Sequence, residues 1–129
     1  MLRLTPLAVL VVLLAAACGP PGPKVYSSAH TRACLAKLGY KLTPPPTSDF
    51  VASTALGGAF HVKLAHNAVT VAFGDTIKNA ESLDGVYRSV HAKNVGIDDV
   101  LHDMGNAVML WHAHPSDDDL GVVQGCLKT

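Results

Sequence analysis

Near the end of the chain, Trp111–Asp119 reads WHAHPSDDD, two histidines followed by a serine and three aspartates. Alternate residues of a strand face the same side, so His112 and His114 could offer two imidazoles to one zinc or copper ion, with Asp119 as a third ligand. Seven histidines in 129 residues make the question reasonable. Two ligands alone do not close a site, and the other histidines have no spacing that joins them. His61 and His102 fall in strand-like segments, His66 in a turn, and His30 and His91 in helical ones.

HAHP followed by SDDD resembles the zinc motif of the JAMM metalloprotease family, which reads His-x-His-Pro, a spacer, then Ser-x-x-Asp at a helix start. The resemblance implies His112, His114 and Asp119 as ligands, zinc as cofactor, and Ser116 as a polar assistant to the metal-bound water. It covers fewer than ten residues, and the chain departs from the pattern twice. Ser116 follows Pro115 with no spacer, and the only glutamate, Glu81, falls inside a helical pattern rather than on an earlier strand. Without a general base, metal-bound water has no proton acceptor. A simpler cause accounts for the aspartates. Ser116 with Asp119 three residues on has the form of a capping box, and carboxylates in a first helical turn meet the positive end of the helix dipole. The segment therefore reads first as a strand-to-helix joint, with a zinc-dependent hydrolase or metal-handling protein as the alternative.

The elements around this joint follow from periodicity. GAFHVKLAHNAVTVAFGD reads as a hairpin with a two-residue turn at His66 and Asn67, pairing Phe60 with Phe73, Val62 with Val71 and Leu64 with Val69. Residues 75–94 carry Ile77, Ala80, Leu83, Tyr87 and Val90 at three- and four-residue steps, the stripe of a helix capped by Asp75 or Thr76. Laying HNAVTVAFGDT over GNAVMLWHAHP at an offset of 39 residues suggests hairpin-helix written twice, with His112 in the place of Phe73 at the end of the core-facing row. The second hairpin turns at Gly105-Asn106, and its helix carries Leu120, Val123 and Leu127. SSAHTRACLAKLGY is a leading helix stopped at Gly39, with Ala33, Cys34, Leu38 and Thr31 on its inner side. The expected fold is α+β: a leading helix, then two ββα repeats forming a four-stranded antiparallel sheet with helices packed on one face.

That arrangement leaves the other face open. Val100, Met109 and Trp111 would lie there beside His61, Lys63, Thr70 and His102, a candidate contact surface for an envelope protein partner or for self-association. Equally, the linker TPPPTSDFVAST could fold back, with Phe50 or Val51 covering Trp111.

The N-terminus supplies an address. MLRLTPLAVLVVLLAAACGPPGP has one positive charge at Arg3, an apolar run from Leu7 to Ala17, small residues before Cys18, and a Gly/Pro tract, the layout of a secretory signal. The run falls well short of the roughly twenty residues of a spanning helix. AAAC resembles the lipobox of bacterial lipoproteins, although Ala15 stands where that family more often has Leu. The resemblance implies cleavage before Cys18 and its lipid modification, hence residues 1–17 as signal peptide, 18–26 as anchored cysteine and tether, and 27–129 as a single domain held outside the cytoplasm at the cell membrane. With Cys18 assigned to lipid, Cys34 and Cys126 form an even pair in an oxidising compartment and read as a disulfide.

Formal charges cancel, with ten basic and ten acidic residues, so no basic face advertises nucleic acid. Aromatic residues make up 5% of the chain, too few for a base-stacking or sugar-stacking platform. Neither a phosphate-binding glycine loop nor a Gly-x-Ser-x-Gly elbow is present. The layout of signal, cysteine, Pro/Gly tether, compact domain and one bridge resembles the short lipoproteins of high-GC Gram-positive bacteria, a likeness that carries no activity. The sequence thus points to a non-catalytic binding or interaction module without a cofactor, or to a purely structural role, ahead of the zinc alternative.

Overall fold

The computed structural model describes residues 22–91 and 96–129. Five strands form one antiparallel sheet: β1 (Leu42–Thr43), β2 (Ala59–Lys63), β3 (Ala68–Phe73), β4 (Leu101–Met104) and β5 (Ala107–Trp111), in the order β1-β2-β3-β5-β4. The helices are α1 (Ser28–Lys37), α2 (Phe50–Ser53), α3 (Ile77–Val90), α4 (Ile97–Val100) and α5 (Asp117–Cys126). The α+β class is as the sequence suggests. The sheet gains a fifth strand because Leu42 and Thr43, just before the proline cluster, pair with Val62 and His61.

Helices cover both faces of the sheet rather than one. Phe60, Val62, Val69, Val71, Met109 and Trp111 share a buried cluster with Leu35 of α1 and Val123 and Cys126 of α5. On the opposite face Ala72, Val108 and Leu101 pack with Val51 and Ala52 of α2 and Ala80, Leu83 and Tyr87 of α3. The central strands explain this. In β3 every residue from Val69 to Phe73 is buried, and in β5 all but Leu110 are. Strands apolar on both sides need cover on both sides. Removing these side chains from water is the main favourable contribution to folding.

The two hairpins have different registers, and this undoes the repeat. In the first, Leu64 N–H donates to Asn67 O (2.8 Å) and Phe60 pairs with Val71, so the loop is Ala65-His66 and the register is two residues from the expected one. A two-residue shift keeps every side chain on its face. In the second, Met104 pairs with Ala107 around Gly105-Asn106, as the sequence indicates. Gly105 has φ +57° and Asn106 a negative φ, the sign pattern of a type II′ turn. Asn67 thus stands one place after its loop and Asn106 inside its own. Aligning the two is off by one residue in hairpin register, and one residue exchanges the faces. Val69 therefore faces α1 and α5 while Val108 faces α2 and α3; the halves are not copies.

Local capping agrees with the sequence. Ser27, Thr76 and Ser116 accept hydrogen bonds from the amides of His30, Asn79 and Asp119, and Gly39 takes φ +94° after α1. Helix α1 buries Thr31 and Leu35, with Cys34 half-buried; Ala33 and Leu38 point outward, so its inner side is turned from the expected one. Cys34 and Cys126 are disulfide-bonded with Cα atoms 5.4 Å apart, joining α1 to α5 on one face.

Candidate functional site

Three small features create a cleft on the α2/α3 side of the sheet. The proline cluster ends at Asp49, whose carboxylate accepts from Ala52 N–H (2.9 Å) and starts the single turn of α2. Tyr87 of α3 donates its hydroxyl to both oxygens of the same carboxylate (3.1 and 2.8 Å), fastening α2 to α3. Between these helices and the strands, Ala68 and Thr70 are too short to fill the space. The resulting cavity measures about 480 Å³, a size suited to a small organic ligand.

Its walls are unequal. Val51, Val90, Ile97, Val100 and Leu110 make an apolar side, and Phe50 at the rim is 54% exposed. His61, His91 and His112 line the cavity with Asp49, Thr70 and Tyr87. The sheet register explains the histidines. His61 pairs with Thr70 and Thr70 with Leu110, while His112 donates its backbone N–H to Ala68 O (2.8 Å), so His61 and His112 stand on one face two strands apart. The His61 ring is hydrogen-bonded through Nδ1 to Thr70 Oγ1 (3.0 Å). Burial, then the positive charges of His112 and Lys63, hold its pKa below the ordinary histidine value, with Asp49 pulling weakly the other way. Burial and the bond to Asp49 push the Tyr87 hydroxyl far above the ordinary tyrosine range, so it stays a donor.

The sequence-derived candidates are distributed differently. Met109 and Trp111, expected on an open contact surface, are 0% and 2% exposed and belong to the core beneath α1 and α5; the one-residue register difference exchanges the face on which they stand. Val100 is half-buried and lines the cleft. The linker folds back against the other side, where Val51 is buried and Phe50 is not. His112 and His114 are exposed, Asp119 is buried at the start of α5, and among the described residues no three His, Cys, Asp or Glu side chains are grouped to hold a metal ion. Cys18 lies outside the described residues. Among those described, no helix is long and apolar enough to cross a membrane.

No family model, curated protein or solved structure matches the chain. The site therefore rests on its own geometry. A duplicated hairpin would put His61 and His112 on opposite faces; the observed register brings them together across β3. The Gly105-Asn106 turn fixes the pairing of β4 with β5, whereas the face of His112 relative to His61 is set by the pairing of β3 with β5, which no turn between them specifies.

Proposed function

We propose that this chain is an extracytoplasmic lipoprotein, anchored at the membrane through Cys18, whose domain binds a small ligand without transforming it. The observation that carries the binding reading is the cleft of about 480 Å³ between the sheet and α2–α4, apolar over most of its wall with polar groups gathered at Asp49, Tyr87, His61 and His112. The anchor reading rests on the apolar run, the AAAC segment and the Gly/Pro tract that follows.

Purification of the chain from its host membranes, followed by mass spectrometry of co-purifying small molecules, tests the binding reading. Wild type is expected to carry one compound absent from Leu110→Trp, in which an indole fills the cleft. Equal recovery from both, or none from either, contradicts it. In the same host, an alkyne fatty acid should label wild type and not Cys18→Ser; labelling of the variant removes the anchor assignment.

A further inference from the structure

The polar groups of the cleft differ in charge and in how firmly they are held. Both oxygens of Asp49 accept hydrogen bonds, from the Tyr87 hydroxyl and, at one of them, also from Ala52 N–H, which fixes the carboxylate in place and leaves its charge. The His61 ring is bonded to the Thr70 hydroxyl. His61 and His112 flank the small floor formed by Ala68 and Thr70, and Lys63 extends the same row of β2 beside them. Leu110, the cross-strand partner of Thr70, continues this floor, and Val90, Ile97 and Val100 add apolar side chains to the wall.

From this juxtaposition we infer that the cleft takes a compact amphipathic carboxylate, its anionic head between His61 and His112 and its apolar body against Leu110, Val100 and Ile97. The inference rests on the binding-module reading above. A carboxylate between two imidazoles receives charge-assisted hydrogen bonds in a partly dry site, the strong kind. Two features oppose an anion: the carbonyl end of α3, where Val90 and His91 sit, and the Asp49 carboxylate. A helix terminus carries roughly half a unit charge and Asp49 a full one, set against the Lys63 ammonium and the imidazolium forms that a bound anion favours.

Binding is then linked to protons. In the empty cleft, burial, His112 and Lys63 disfavour protonated His61, with Asp49 alone favouring it; Tyr87 stays neutral, and Thr70 and His91 complete the polar wall. An anion reverses the balance by stabilising imidazolium, so binding takes up a proton and tightens as pH falls toward the range where histidine charges.

The test is equilibrium dialysis of the full chain in phosphatidylcholine nanodiscs, with empty discs subtracted, against three matched probes: 2-naphthoate, 2-naphthamide and 2-naphthylmethylammonium. The expected result is naphthoate binding at least tenfold tighter than the amide at pH 6, with this preference reduced at least fivefold at pH 8. His61→Gln with His112→Gln should bring naphthoate affinity down to that of the amide at both pH values. Equal affinity for naphthoate and amide, or preference for the ammonium, overturns the carboxylate assignment but leaves a binding cleft. If none of the probes binds and the Leu110→Trp comparison also finds no compound, the binding reading itself fails. Because the preference and its pH dependence are measured on wild type, they decide the matter even where the double variant misfolds.

Discussion

Asn106 shows how much one buried side chain can organise. It is 1% exposed, accepts from Tyr26 N–H (2.5 Å), and donates to Tyr26 O (3.0 Å) and Gly74 O (2.7 Å). It thereby ties the entering chain, the end of β3 and the second hairpin to one amide. Truncation takes this partner from two carbonyls, Gly74 O and Tyr26 O, and from the Tyr26 amide; a buried group left unpaired costs roughly 1–3 kcal/mol and the half-buried ones less. Asn106→Ala is expected to lower unfolding free energy by about 3 kcal/mol in urea titrations, while Lys78→Ala, at an exposed position outside this network, changes little. A second group sets a pH dependence. The Asp103 carboxyl is pushed up to about 6, first by burial, then by the charge of Asp84 and a hydrogen bond with it, against the smaller pull of Arg88 and His102. The native state holds this proton more tightly than the unfolded chain, so its contribution to stability falls as pH rises from about 4 through 6. Asp103→Asn keeps a donor toward Asp84 and removes the titration. Thermal melts between pH 4 and 7 should show a flatter slope for the variant, with a gain at pH 7 of under about 1 kcal/mol because the residue is only partly buried and water screens its charge.

The elements divide into those that local chemistry determines and those that depend on the other layer of the molecule. Ser27, Thr76, Ser116, Gly39 and the Gly105-Asn106 turn act within a few residues, and each does in the structure what its type implies. The α3 stripe is equally plain, since Ala80, Leu83 and Tyr87 recur at helical spacing and are buried. Facing is another matter. VTVAF and AVML carry apolar side chains on alternate and intervening positions alike, and such strands are compatible with either register until both layers of helices are present. The cleft is illegible in the sequence for the same reason: Asp49 lies in a proline-rich linker, and its value arises only when Tyr87 of α3 arrives from 38 residues away. The Cys34–Cys126 bridge, by contrast, follows from cysteine arithmetic. It joins α1 to α5 across 92 residues of sequence, a closure that contributes about 4–5 kcal/mol in the chain-entropy model. Cys34→Ala with Cys126→Ala should lower stability by about that amount and leave the cleft side of the sheet intact, read as unchanged probe binding under conditions where the variant remains folded.

Across the whole molecule, the entering chain at Lys24–Tyr26 and the cleft lie toward opposite ends of the sheet. Tyr26 is fixed to Asn106, and a Cβ on Gly105 would collide with Lys24 O, so the entering chain lies against the second turn. Ala68 and His112 are at the far end of the β3–β5 pair. Under the proposed anchor, Gly19–Pro23 separates Cys18 from Lys24 and spans under about 20 Å even when extended. The turn end would then face the membrane and the histidine end would face away from it, toward ligands outside the cell. One face of the sheet is sealed by α1, α5 and their disulfide; the other carries the opening. Hydroxyl-radical footprinting of the chain, in host membranes and after purification, examines that division side chain by side chain. Met109 and Trp111 are expected to oxidise slowly in both settings, and Phe50 and His112 to oxidise fast in purified protein stripped of its ligand by unfolding and refolding, and more slowly in the membrane-bound, ligand-occupied form. Rapid oxidation of Met109 or Trp111, or identical labelling of Phe50 and His112 in the two settings, would contradict a sealed face opposite a ligand-binding one.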